Sequence, residues 1–251
     1  MVFPLADDNS DRRTTPIVNY AIIALNVFVF VVFQGMGDNN NFTYAFSCVP
    51  KEIITGHDEI TQDHVETEPI TGEKYEVPGL RPTPIPVWFT ILTSMFMHGG
   101  IAHIAGNMWF LWIFGDNIED DMGHGRYLIF YLLCGVIASL SHVFMNMNGP
   151  NALVPSLGAS GAISGVMGAY MVVHANRRVR VLLFRVITDV PGWVAVGIWA
   201  GFQVLSGIGV LGEGSQAGGV AYAAHIGGFI AGMVLIKPFM LGVNPADTTR
   251  L

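Results

Sequence analysis

The sequence predicts an all-α membrane protein, a bundle of six membrane-crossing helices with a long acidic loop between the first two. Three observations predict it. Of 251 residues, 51% are hydrophobic and only 12% charged, with a mean hydropathy of +0.49; a soluble domain carries roughly twice that charged share. The apolar residues fall into six blocks close to the roughly 20 residues needed to cross a bilayer. Those blocks lack the alternation of barrel strands, and helices are then the structures that satisfy their own backbone in lipid. The same composition excludes other classes. The chain is too apolar for disorder, and 12 Lys and Arg against 19 Asp and Glu exclude a nucleic-acid binder that works by phosphate neutralisation. Two cysteines exclude a disulfide scaffold or a Cys-rich metal site.

Taken in order, the first block is Ile17 to Phe33. Asp7, Asp8 and Asp11 precede it where a cleavable signal would carry basic residues, so it reads as a retained helix. Gln34 to about Pro86 follows as an irregular extracytoplasmic loop, with a Pro82-x-Pro84-x-Pro86 run and turn residues compatible with one hairpin. Its acidic residues are Glu52, Asp58, Glu59, Asp63, Glu66, Glu68, Glu73 and Glu76. The stretch Val87 to Met97 is apolar enough to rest in the membrane interface. The remaining blocks are Ile101 to Gly115, Tyr127 to Met145, Ser160 to Ala175, Trp193 to Leu211 and Val220 to Leu241. The chain reads as one membrane domain, 1–251, with 34–86 as the loop between helices 1 and 2.

Basic residues set the orientation. With both termini cytoplasmic, Arg12, Arg13, Arg126, Arg177, Arg178, Arg180, Arg185, Lys237 and Arg250 lie inside, nine of the twelve. Lys51, Lys74 and Arg81 lie outside. Cys48 is then outside and Cys134 within helix 3, so the two are not expected to pair.

Polar residues inside apolar blocks are costly in lipid and usually functional. Helix 2 carries His103 and Asn107, four apart and so on one face, with His98 just before it. Helix 4 opens Gly158-Ala159-Ser160-Gly161, and helix 6 carries His225. Helices 2, 4 and 6 run in the same direction. At 1.5 Å per residue, counted from Asp116, Asn176 and Lys237, His103 stands roughly 20 Å from the inner surface, Ser160 roughly 24 Å and His225 roughly 18 Å. All three share the outer half of a core ~30 Å thick.

Small-residue faces bring two of them together. Gly161-x-x-x-Gly165 on helix 4 and Ala224-x-x-x-Gly228-x-x-x-Gly232 on helix 6 permit close backbone approach. If these faces meet, Ser160 and His225 come within hydrogen-bond reach. Serine needs a base to become nucleophilic, and histidine has a suitable pKa. The attacked carbonyl needs donors, which His103, Asn107 and the Ser160 backbone N–H can supply. Gly158 leaves the backbone bare for an approaching peptide. Against these stand plainer readings. An intramembrane histidine is by default a packing residue, the reading for His142, and a serine at a helix start is usually a cap. Glu119, at the inner end, reads as structural. His57 and His64 read as a solvated surface rather than a metal site.

These residues resemble the rhomboid intramembrane serine proteases. The matching motifs are His98-x4-His103-x3-Asn107, Gly158-x-Ser160-Gly161 and Ala224-His225-x-x-Gly228-x-x-x-Gly232, joined by Glu119-x-x-x-Gly123 after helix 2. Asp120 to Arg126 and the opening Phe3-Pro4-Leu5 with Asp7-Asp8-Asn9 resemble a bacterial subgroup. The resemblance covers nearly the whole chain. It implies a Ser160–His225 dyad, an oxyanion hole of His103, Asn107 and the Ser160 amide, His98 and Gly158 in support, and no third acid. It implies no metal or organic cofactor, transmembrane protein substrates, and a bacterial inner membrane location. One departure is Phe89, where the family's pre-helix-2 loop often has Arg after Trp.

Three rivals are weaker. A metalloprotease would need His-Glu-x-x-His or a comparable ligand set with a neighbouring base. A transporter would bring internal repeats, and none is visible. A non-catalytic rhomboid-like binder of transmembrane segments lacks the serine or the histidine, and both are present here.

Overall fold

The computed structural model describes residues 2–67, 72–207 and 216–243. Glu68, Arg250 and residues 208–211, all named above, lie outside them. A strand β1 (Val2–Asp7) leads to α1 (Ile17–Phe28), which runs on through one wider π-helical turn, Val29–Phe33. Two short helices follow, α2 (Asn40–Ala45) and α3 (Pro50–Thr55). Strands β2 (His64–Thr67) and β3 (Lys74–Val77) then pair antiparallel as an exposed hairpin. A short α4 (Thr90–Thr93), set between single 3-10 turns, bends by 78° into α5 (Ile101–Met122). The rest is α6 (His124–Asn146), α7 (Ser160–Val173), strands β4 (Arg178–Leu183) and β5 (Val186–Pro191), α8 (Gly192–Gly207) and α9 (Gln216–Met240).

Within the described residues each of the six apolar blocks is helical over most of its length. By length and composition, α6 and residues 222–240 of α9 are able to cross a membrane among the described residues, and the bent pair 87–96 and α5 passes the same test. Ile17–Phe33, Ser160–Val173 and Gly192–Leu205 are shorter apolar helices. The chain is a mostly helical integral membrane protein.

The all-α expectation needs one correction. β1, β4 and β5 form a three-stranded antiparallel sheet with β4 in the centre. Val179 and Val181 are fully buried between exposed Arg178 and Arg180, the two-residue period of a half-buried strand. The arginines make this segment read as a charged loop. Pro4 has no N–H for a sheet ladder, and the register shifts just after it, between Pro4 and Ala6.

The core lies where α5, α6, α7 and α9 meet. Leu111, Phe114, Tyr127, Phe130, Tyr131 and Tyr170 are essentially without exposure there. At one end of the bundle the Glu119 carboxylate accepts from the N–H groups of Val18 (2.9 Å) and Asn19 (2.7 Å), the otherwise unpaired donors of the α1 start. This is the structural role expected of Glu119. Asp116 beside it holds Arg12 at 2.7 Å, and Asp120 receives the backbone and hydroxyl of Thr14. The start of α1 is therefore fixed to the end of α5 by carboxylates. Cys48 and Cys134 are buried and unpaired, as expected.

Candidate active site

The segment leading into α7 is held from two sides. Cys48 and Ser156 exchange backbone hydrogen bonds of 3.0 and 2.8 Å, and the Gly158 N–H donates to the Ser94 carbonyl at 2.8 Å. Gly158 has φ +125°, a backbone region that L side chains rarely adopt. The chain then turns, and Ser160 opens α7.

The small-residue faces of α7 and α9 do meet. A β-carbon on Gly228 would collide with the Gly161 carbonyl oxygen, and one on Gly232 with that of Gly165. Only glycine allows helices this close. That contact fixes the distance between the side chains beside it. Ser160 Oγ lies 2.8 Å from His225 Nε2, a full hydrogen bond.

His225 has a second partner. Its Nδ1 lies 2.8 Å from Oε1 of Gln203 on α8. Trp199, one turn earlier on α8, sets its ring 6.2 Å from the imidazole and 6.0 Å from Phe229. Sequence reasoning passed over Gln203. Its signal was available: it is a lone amide inside the apolar block that begins at Trp193.

His103 comes to the other side of Ser160. A β-carbon on Gly158 would stand 2.9 Å from His103 Nε2 and 3.6 Å from Ser160 Oγ, so both atoms flank one spot. The Gly99 N–H donates to His103 Nδ1 at 3.3 Å. A neutral ring that accepts at Nδ1 carries its hydrogen on Nε2. The donor therefore faces the serine. Asn107, one turn further along α5, is 9% exposed, and its Nδ2 has no hydrogen-bond partner among the described residues. An unpaired buried amide is costly, which suits a group whose partner arrives with a substrate.

His98 does not reach the serine. Its ring is fully buried and stands edge-on to His103 at 5.2 Å between centroids. Gln34 clasps its backbone, with Oε1 accepting from the His98 N–H and Nε2 donating to the His98 carbonyl, both at 2.9 Å. His98 thus backs the His103 ring, and Gln34 is a further supporting residue that sequence reasoning did not name. His142 is fully buried in α6 and reads as packing.

A small cavity of about 30 Å³ opens on the Ser160–His225 pair, lined among others by Ser160, His225, Gly158, Met95 and Ser139. The hydroxyl and imidazole can pass a proton between them. The N–H groups beside them can stabilise an oxyanion in a setting of low polarity, where such donors act strongly.

Comparison with known proteins gives the same direction. A family model described as the Rhomboid domain matches residues 86–241. The chain is 34% identical over 220 residues to Rhomboid protease GluP of Bacillus subtilis (strain 168), which covers 86% of this chain and 34% of that protein. It is 33% identical over 148 residues to the mitochondrial Rhomboid protein 1 of Saccharomyces cerevisiae, 58% of this chain and 40% of that one. It is 30% identical over 153 residues to the chloroplastic Rhomboid-like protein 11 of Arabidopsis thaliana, 60% of this chain and 52% of that one. The chain spans between about a third and a half of the length of these curated relatives.

Proposed function

We infer that this chain, which belongs to the rhomboid family, is an intramembrane serine endopeptidase that hydrolyses a peptide bond in or near the outer end of substrate transmembrane helices. The observation that carries the reading is the 2.8 Å approach of Ser160 Oγ to His225 Nε2. His225 takes the hydroxyl proton as Oγ attacks the carbonyl carbon. The oxygen that becomes negative is held by His103 Nε2–H, Asn107 Nδ2–H and the Ser160 backbone N–H. The intermediate collapses, the amine leaves with the proton from His225, and the acyl group stays on Ser160. Water then gives a proton to His225 as it attacks the ester carbon, and His225 returns that proton to Ser160 Oγ as the ester C–O bond breaks and the carboxylic acid product leaves and ionises. No metal or organic cofactor enters these steps.

The same reading has six helices crossing the bilayer, with both termini cytoplasmic and the chain forming one membrane domain. Residues 34–86 are its extracytoplasmic loop, and the membrane is the inner membrane of a bacterium. Substrates are transmembrane proteins drawn from the surrounding bilayer. A helical carbonyl is already bonded within its helix, so the substrate must unwind near the cut, and Gly or Pro there helps. The family resemblance also fits a non-catalytic binder of transmembrane segments, but the paired serine and histidine favour the enzyme.

The experiment is labelling of the purified protein by a serine-reactive fluorophosphonate, with cleavage of a reporter helix in parallel. Wild type labels and cleaves, while Ser160→Ala and His225→Ala do neither at normal expression. The two residues act as one unit, so the double variant is no worse than either single one. Undiminished turnover by Ser160→Ala would refute the serine mechanism. An unlabelled, inactive wild type that still captures the reporter helix would favour the binder.

A further inference from the structure

We propose that Gln203 is a positioning residue for His225, so that three side chains from three helices form one hydrogen-bonded chain: Ser160 on α7, His225 on α9 and Gln203 on α8. The proposal rests on the serine-protease reading given above and deepens it.

Proton placement on the His225 ring decides whether it can act as base. Ser160 Oγ–H must donate to His225 Nε2 for the histidine to act as base, because only a lone pair on Nε2 can receive the proton. A neutral imidazole with a bare Nε2 carries its hydrogen on Nδ1. A buried N–H needs an acceptor. Gln203 Oε1, at 2.8 Å from Nδ1, is that acceptor. With the acceptor in place, the ring is held both in the base-ready tautomer and in the orientation that points Nε2 at the serine. Without it, the ring is free to carry its hydrogen on Nε2, where it no longer accepts from Ser160. A carboxylate does this work in soluble serine hydrolases and also favours the imidazolium by its charge. An amide supplies the orientation without a charge that lipid would penalise.

The packing around the pair supports this role. Trp199 and Gln203 are four residues apart and so lie on one side of α8. That side rests on α9, with the Trp199 ring against both His225 and Phe229. Gln203 is held beside the imidazole by the same contact that seats α8.

The test uses the full chain in detergent and compares wild type, Gln203→Met and Gln203→Glu, with Ser160→Ala as the background. Methionine keeps the length and apolar stem of glutamine and removes the acceptor. Gln203→Met should lower kcat for a reporter helix by about 10-fold, the order set by losing one neutral hydrogen bond, and leave KM unchanged. The fluorophosphonate labelling rate should fall by the same factor, since labelling needs the same activated serine. Gln203→Glu restores an acceptor at the same reach and should recover most of the rate. Its carboxylate favours the imidazolium, so the acid limb of the kcat/KM profile should move to higher pH. A change confined to packing would move neither the pH limb nor the labelling rate. If Gln203→Met fails to fold, Gln203→Asn, whose amide is one methylene short of Nδ1, carries the same expectation. Wild-type labelling by Gln203→Met would overturn the positioning role while leaving the serine mechanism standing. Equal loss in Gln203→Met and Gln203→Glu would overturn it too. Failure of wild type to label above Ser160→Ala would instead refute the serine mechanism itself.

Discussion

Replacing Gly228 by alanine tests how far the packing of α7 on α9 sets the Ser160–His225 distance. Gly228 lies one turn after His225, with its backbone against that of Gly161, next to Ser160. The added β-carbon would collide with the Gly161 carbonyl oxygen and also stand 3.2 Å from the Ala138 β-carbon. An ordinary carbon-to-oxygen approach is about 3.3 Å or more. Neither obstacle is the end of a flexible side chain, so α9 must retreat by about 1 Å to restore it. A shift of that size stretches the 2.8 Å bond between Ser160 and His225 beyond hydrogen-bond range. Misplacement by about 1 Å typically costs about 100-fold in rate. Overpacking costs about 1–3 kcal/mol of stability, and each kcal/mol lowers the melting temperature by about 2–4 °C in a chain of this size.

The assay pairs melting of the purified protein in detergent with cleavage of a reporter helix. Gly201→Ala is the control. Gly201 sits within α8 with nothing among the described residues within 4 Å of an added β-carbon. There the substitution should raise stability by about 0.5–1 kcal/mol through helix propensity alone. Opposite signs at the two glycines are the expected result. A Gly228→Ala protein that melts and cleaves like wild type would refute the claim that backbone contact sets the distance.

On the proposed mechanism Asn107→Ala removes one oxyanion donor of several and should lower kcat by about 10- to 1000-fold; a change in KM alone would place Asn107 in substrate binding instead. Burial, followed by the neighbouring Asp116 carboxylate, pushes Asp7 up to about 7. Asp7 thus holds a proton in the folded chain that the unfolded chain releases near pH 4. The stability it contributes is full below that pH and is lost as pH rises to about 7. Asp7→Asn keeps an acceptor for Asn117 and Tyr170 and should raise stability at pH 8 by at most about 4 kcal/mol, from about three pK units at 1.36 kcal/mol each. At pH 4 it should change little, and equal melting of variant and wild type at pH 8 would refute the assignment. Replacing residues 57–73 by a short Gly/Ser linker removes six carboxylates but leaves the Cys48–Ser156 pairing intact. Cleavage of a minimal substrate should persist, with a changed preference for basic outer segments that fades with salt. A folded deletion inactive on every substrate would show that the segment helps build the site.

Much of this site was legible because lipid makes each polar side chain conspicuous. Ser160, His225, His103 and Asn107 stand in apolar blocks where a packing role alone would be expensive. The glycines at four-residue spacing added the missing relation, since Gly161 with Gly165 and Gly228 with Gly232 mark two faces able to touch. The Ser160–His225 contact follows from those faces meeting. The sheet was harder to read. In β4, Val179 and Val181 alternate with arginines over too few residues to outweigh the charge, and its partner β1 lies more than 170 residues away along the chain.

The supporting contacts were illegible for a different reason. A glutamine in an apolar block announces that it needs a partner but not which one, because the partner is chosen by the rotation of its helix. Gln203 turns toward α9 and meets His225 Nδ1. Gln34, at the end of the first block, meets the backbone of His98, 64 residues further along. Both amides satisfy a histidine's surroundings, and neither spacing repeats any helical period. A motif search therefore finds the groups to which the proposed mechanism assigns the chemistry. The groups that hold them in place emerge only when each buried donor and acceptor is assigned its partner in three dimensions.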